Sequence, residues 1–186
     1  MKRLVLASQS PRRREILAAA GFGFEVRVAN VEEVRDPHEP PDAYVERLSR
    51  QKAQAVACAE DEVVLGADTV VVCEGEVLEK PRDAKDAARM LRMLAGREHR
   101  VLTGVFLRTA AAGAGAVEST RVRFAAMTEE EIGSYVASGE PMDKAGAYAI
   151  QGLASRFITG IEGCYFNVVG LPLRRVYELL GQVGAI

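Results

Sequence analysis

Tryptophan is absent from this 186-residue chain, histidine occurs only twice and cysteine three times. With His38 and His99 the sole imidazoles, a histidine-based triad has little material, and no ordered Ser/His/Asp or Cys/His partners are evident. Cys58, Cys73 and Cys164 are odd in number, widely spaced and without a CxxC pair, so neither a disulfide framework nor a zinc site is supported. No apolar run approaches the length needed to cross a bilayer. A net charge of −2 leaves no basic excess for a general nucleic-acid or membrane-surface binder, so local basic clusters read as sites. Neither G-x-G-x-x-G nor a Walker sequence occurs, which removes both standard nucleotide loops. The N-terminus enters directly into strand-like sequence, and the expected location is cytoplasmic.

What is present is an ordinary globular composition, 48% hydrophobic and 27% charged, in a chain of one-domain length, 1–186. Strands are expected at Lys2 to Ala7, Phe24 to Val28, Val63 to Val72 (interrupted at Gly66 to Thr69), Val77-Leu78, Arg100 to Thr109, Val117 to Ala126 and Arg156 to Cys164. Helices are expected from Ser10 to Gly21, Asp42 to Ala59, Asp83 to Ala95, Thr128 to Ser138 and Leu173 to Leu180. Glu74-Gly75 reads as a hairpin turn, the Ala110 to Ala116 run as a hairpin tip, and Gly139 to Gly152 as a loop. Alternating strands and helices with hairpins indicate an α/β fold whose sheet is mixed.

The first helix has inverted electrostatics. Ser10 suits an N-cap and Pro11 the first helical position, yet Arg12, Arg13 and Arg14 crowd a helix end that normally attracts acids. Elsewhere the chain follows the usual rule, opening a helix with Thr128-Glu129-Glu130-Glu131 and its capping box. Clustered cations beside open backbone N–H groups suit a bound anion such as a phosphate; the plain alternative is a solvated basic turn.

Two charged residues sit where apolar ones are expected. Lys52 interrupts the apolar stripe of the second helix, four residues from both Leu48 and Val56, and either snorkels to solvent or points into a polar cleft. Asp68 lies between Val63-Val64-Leu65 and Val70-Val71-Val72, where burial demands a cation, hydrogen bonds or a metal. Gly66 and Ala67 before it leave room for a ligand to approach the backbone. Glu32 and Glu33 follow the second strand, and Pro81 stiffens the segment that carries Lys80. Together these groups suit a polyphosphate, a divalent metal and an activated water.

Motifs in order along nearly the whole chain carry a resemblance to a known family. They are Leu6-Ala7-Ser8 with Ser10-Pro11-Arg12-Arg13, Leu65-Gly66-Ala67-Asp68-Thr69-Val70, Glu79-Lys80-Pro81, Asp143 to Tyr148, Ile150-Gln151-Gly152 and Asn167 to Pro172. The chain closely resembles the Maf family of nucleoside triphosphate pyrophosphatases, in the branch acting on dTTP and UTP. The resemblance implies a Maf/inosine-triphosphatase-like fold, an elongated mixed sheet flanked by helices in two lobes with a central cleft. It implies hydrolysis between the α and β phosphates with Mg²⁺ or Mn²⁺. It maps the general base to Asp68 and the specificity positions to Arg12, Thr69 and Gln151. Ser8, Arg13, Lys52, Lys80 and Lys144 are then expected at the substrate, and Glu33 with Asp68 at the metal. A glutamine amide both donates to a carbonyl and accepts from N3–H, which matches the edge of uracil and thymine. The expected partner is a small nucleotide, with no nucleic acid and no membrane; a homodimer stays open. Two other readings are kept: a pyrophosphatase for modified or purine nucleotides, and a nucleotide-sensing regulator of septum formation.

Overall fold

A computed structural model describes residues 2–28 and 30–186. The strands are β1 (Arg3–Leu6), β2 (Phe24–Val26), β3 (Glu62–Cys73), β4 (Glu76–Leu78), β5 (Glu98–Arg108), β6 (Gly113–Phe124) and β7 (Ile158–Glu162). The helices are α1 (Pro11–Ala19), α2 (Pro41–Gln54), α3 (Ala84–Leu94), α4 (Glu129–Ala137), α5 (Tyr165–Val169) and α6 (Leu173–Gln182). The strands pair in the order β2-β1-β3-β5-β6-β7, with β4 on β3. β1 is parallel to both β2 and β3, whereas β3–β4 and β6–β7 are antiparallel, so the fold is α/β with a mixed sheet.

The chain divides into two compact units, each assembled from separated segments. The first comprises Met1–Thr69, Thr103–Glu118 and Gly170–Ile186. In it α2 is seated on the strands by two glycines. A Cβ at Gly66 would lie 2.1 Å from the Ser49 carbonyl oxygen, and one at Gly104 would lie 2.2 Å from that of Val45. The room at Gly66 therefore admits the α2 backbone, where the sequence suggested a ligand. This close seating brings Lys52, on the inner face of α2, to the strand that carries Asp68.

Several features of these elements differ from the sequence expectation, each with an identifiable cause. β3 runs unbroken through Gly66 to Thr69 because Asp68 finds a cation, so its charge does not force the strand apart. α2 begins at Pro41, whose fixed φ suits a first helical turn. It ends at Gln54 because the carbonyls of Val56 and Ala57 are taken by Arg108 and Arg27, and the Ala59 N–H by Glu62. The Ala/Gly run is only partly a tip. Thr109 and Ala112 close the turn, and Gly113 to Ala116 already belong to β6, where Gly113 and Gly115 lie against the Phe106 ring. α1 starts at Pro11, but the Ser10 side chain makes no cap bond; its N–H instead donates to the Ser8 hydroxyl at 3.2 Å.

The second unit comprises Val70–Leu102 and Ser119–Val169. Its core collects Leu78, Met90, Leu91, Leu94, Val101, Phe124, Ile132, Tyr135 and Phe157. Asp83 caps α3 through the Asp86 N–H, and the capping box of α4 forms as its sequence requires. Leu91 is fully buried, a burial that stabilises by roughly 2 to 3 kcal/mol. After α4 the chain runs through short 3-10 turns at Glu140–Asp143, Ala145–Ala147 and Leu153–Phe157, the last filling part of what reads in sequence as strand.

Candidate active site

The centre of the first unit is an ion cluster. Lys52 Nζ lies 2.6 Å from Asp68 Oδ1 and 2.7 Å from Glu33 Oε1. The Asp68 and Lys52 side chains are 9% and 11% exposed, while Glu33 is 48% exposed. Lys52 therefore does not snorkel; it points inward at two carboxylates. Burial pushes the Asp68 carboxyl above the usual carboxylate range, and the Lys52 ammonium and then the Arg13 guanidinium pull against that rise. A carboxylate held in this balance is a stronger proton acceptor than an exposed aspartate.

Arg13 is buried, and its fork is engaged by the protein. Nε donates to the Gly170 carbonyl at 2.9 Å, and Nη1 to the Ala67 carbonyl at 2.8 Å and the Ser8 hydroxyl at 3.1 Å. Nη2 donates to the Thr69 hydroxyl at 3.1 Å. Thr69 Oγ1 also lies 2.9 Å from Thr103 Oγ1. Arg13 thus ties the end of β1, the backbone on either side of Asp68 and the Gly170 turn into one piece. Gly170 has φ +125°, a value few side chains tolerate, which explains a glycine at that turn. Ser8 is buried, and Arg12 is half-buried at the start of α1.

Lys80, Lys144 and Gln151 belong to the second unit. The Gly146 N–H donates to the Glu79 carbonyl at 3.1 Å, which fastens the segment after Lys144 to the exit of β4 beside Lys80. Gly146 has φ +69°, and a Cβ there would meet Val71 at 2.7 Å, so both conformation and space require glycine. Lys80 and Gln151 are exposed. Lys144 Nζ donates to the Glu140 carbonyl at 2.9 Å and pairs with Asp143. Tyr148 is buried and its hydroxyl lies 2.8 Å from His99 Nε2, with Phe124 edge-on to both rings.

Several organising residues escaped the sequence reading. Gly170 lies within the Asn167 to Pro172 motif, to which no role was attached. Tyr135 and Glu140 carried no signal, because a tyrosine on an amphipathic helix and a glutamate after glycine are common on any surface. Among the described residues no three His, Cys, Asp or Glu side chains converge as a metal cluster. Glu33 and Asp68 are nevertheless two hard oxygen donors brought together on the Lys52 ammonium, and carboxylates of this kind suit a divalent ion that keeps water and phosphate as its other ligands.

The chain is 57% identical to the dTTP/UTP pyrophosphatase of Anaeromyxobacter sp. (strain Fw109-5), over 98% of this chain and 90% of that protein. It is 53% identical to the dTTP/UTP pyrophosphatase of Koribacter versatilis (strain Ellin345), over 98% of this chain and 95% of that protein. The Ham1 protein of Staphylococcus aureus aligns with a TM-score of 0.48 and 13% identity, over 66% of this chain and 72% of that one. The family described as Maf-like protein matches residues 3–183, and with relatives of this similarity along nearly its full length the chain belongs to that family.

Proposed function

We propose that this protein is a nucleoside triphosphate pyrophosphatase that hydrolyses dTTP and UTP to the monophosphate and pyrophosphate. The observation that carries the chemistry is the buried Asp68, raised by burial and bound to Lys52 at 2.6 Å. The substrate class rests on the names of the close relatives.

In this reading Asp68 takes a proton from a water molecule as the water oxygen bonds to phosphorus at the α–β anhydride. The P–O bond of the anhydride breaks, and the bridging oxygen leaves with one product. Lys52 holds Asp68 ionised and oriented until the proton arrives, and then stays paired with Glu33. Arg13 fixes Ser8, the Ala67 carbonyl and Thr69 around Asp68, so that the base does not drift. Glu33 and Asp68 would hold Mg²⁺ or Mn²⁺, whose charge, when bound, offsets that of the phosphates. Arg12, Lys80 and Lys144 are assigned to the phosphates, and Gln151 with Thr69 to the base, on the motifs that carry them.

The test is a panel of dTTP, UTP, CTP, ATP and GTP with Mg²⁺ or Mn²⁺, with pyrophosphate and orthophosphate scored separately. Pyrophosphate and a monophosphate from dTTP and UTP, lost on adding EDTA, are expected. Orthophosphate with a diphosphate product, or equal turnover of all five, would overturn the reading.

A further inference from the structure

Gln151 sits at the tip of a short segment whose two shoulders are held by one buried pair. The Tyr135 side chain is fully buried on α4, and its hydroxyl donates to Glu140 Oε1 at 2.7 Å. The same hydroxyl accepts the Ala149 N–H at 3.2 Å. The other carboxylate oxygen, Glu140 Oε2, accepts the Leu153 N–H at 3.0 Å. Ala149 and Leu153 each stand two residues from Gln151, so the phenol and the carboxylate grip the backbone on both sides of it.

Three further features make this more than a surface contact. A Cβ at Gly152 would lie 2.2 Å from Glu140 Oε2, so the glycine after Gln151 is there to let the carboxylate reach across. Burial pushes the Glu140 carboxyl up, but hydrogen bonds from Leu153, Tyr135 and Ala154 outweigh it and hold the group below its usual range, ionised at neutral pH. The Tyr135 ring is locked in turn against Phe157, edge-on at 6.2 Å between centroids.

From this arrangement we infer that Tyr135 and Glu140 are positioning residues for base selection, acting through the Ala149–Leu153 backbone that presents Gln151. The inference rests on the reading of Gln151 as the group that recognises uracil and thymine. Their effect is to fix the backbone from which the Gln151 amide reaches the base, so that the amide meets one edge at a set distance and angle; that placement separates UTP from CTP, whose edge has the opposite polarity at N3 and the exocyclic group. A segment free to shift would let the amide adjust to either edge.

The experiment compares Tyr135→Phe, Glu140→Gln and Gln151→Ala with the unmodified protein, recording kcat/KM for UTP and CTP alongside Tm. Tyr135→Phe leaves the Ala149 N–H and Glu140 Oε1 without their shared partner, and the UTP-to-CTP ratio is expected to fall by about 5-fold or more. Gln151→Ala should lower the ratio at least as far, and Tyr135→Phe added to Gln151→Ala should lower it no further, the signature of residues acting through one another. An unchanged ratio in Tyr135→Phe and Glu140→Gln, with Gln151→Ala still lowering it, overturns the positioning role while leaving Gln151 as the reader. An unchanged ratio in Gln151→Ala overturns both. If the single variants fail to fold, Gly152→Ala combined with Glu140→Ala replaces them. Removing the carboxylate relieves the Gly152→Ala clash, so Tm should recover relative to Gly152→Ala alone while the ratio stays low. Recovery of both would show that the pair serves stability only.

Discussion

Replacing Lys52 by methionine tests the centre of the first unit directly. The change keeps an unbranched apolar stem of four heavy atoms and removes the ammonium that lies 2.6 Å from Asp68 and 2.7 Å from Glu33. Glu33 is half in solvent and can turn outward, so its loss of a partner costs little. Asp68 cannot. Breaking a buried pair by deleting one member costs about 3 to 5 kcal/mol, and Arg13 remains as a second cation acting on Asp68, so the lower end is expected, about 3 kcal/mol at neutral pH. For a chain of this length that is a fall in Tm of roughly 6 to 12 °C.

The pH dependence distinguishes charge from packing. Asp68 already has its carboxyl raised in the folded state by burial, and loss of Lys52 raises it further. A raised carboxyl favours the protonated folded form, so its penalty is absent below the unfolded aspartate range, accrues as pH rises from there toward the folded value and is complete above it. The Tm gap between Lys52→Met and the unmodified protein should therefore be small near pH 4 to 5 and widest near pH 8, in calorimetric scans at matched ionic strength. The titration of His99 acts on both proteins and cancels from the difference. Adding Asp68→Asn to Lys52→Met should restore most of the lost stability at pH 8. A Tm gap of the same size at both pH values, or no recovery in the double variant, would show that the loss comes from packing around the new methionine and that the ion pair is incidental.

Asp68→Asn alone should lower turnover of dTTP and UTP by roughly 10²-fold or more, as expected for loss of a general base, with the far-UV circular dichroism spectrum kept; near-normal turnover would reduce Asp68 to a structural charge. Arg13→Lys keeps the charge but cannot reproduce a fork that serves Gly170, Ala67, Ser8 and Thr69 at once, so stability should drop by about 2 to 4 kcal/mol in urea titrations, and a loss under about 0.5 kcal/mol would refute the tie. Burial holds the His99 imidazole down at about 4 against an ordinary 6.5, so the unfolded chain binds the extra proton between those values and stability falls as pH drops through that window, by about 3 kcal/mol at most. His99→Gln should flatten that acid slope in Tm-against-pH curves, and an unaltered slope would remove His99 as its source.

Features that depend on a few neighbouring residues were legible in the sequence. The capping box at Thr128 and Glu131, the Asp83 cap, Pro11 at a first helical position and the Glu74-Gly75 turn with φ of +50° and +84° all form as their residues require. Each is settled within a span of about four residues, where backbone geometry and a single side-chain hydrogen bond decide the outcome. Composition likewise showed that no apolar run reaches membrane-spanning length, and no helix among the described residues is long and apolar enough to cross a membrane. The anomaly of Asp68 in an apolar strand and of Lys52 on an apolar stripe was equally visible, because a charge in such a place needs a partner whatever the fold.

Which partner each charge takes was decided only by the tertiary structure. Lys52 and Asp68 stand 16 residues apart and meet because Gly66 lets α2 press against β3. The same glycine read in isolation suggested space for a ligand, since nothing local reports that Ser49 and Ala53 fill it. Arg13 reads in sequence as one of three cations awaiting an anion, yet its acceptors include a carbonyl 157 residues away. The grip of Tyr135 and Glu140 on the shoulders of Gln151 was invisible for the same reason. Hydrogen bonds and ion pairs are short-ranged and directional, so a sequence states which groups need partners, and only the packing of distant segments brings a chosen partner to within 3 Å or so.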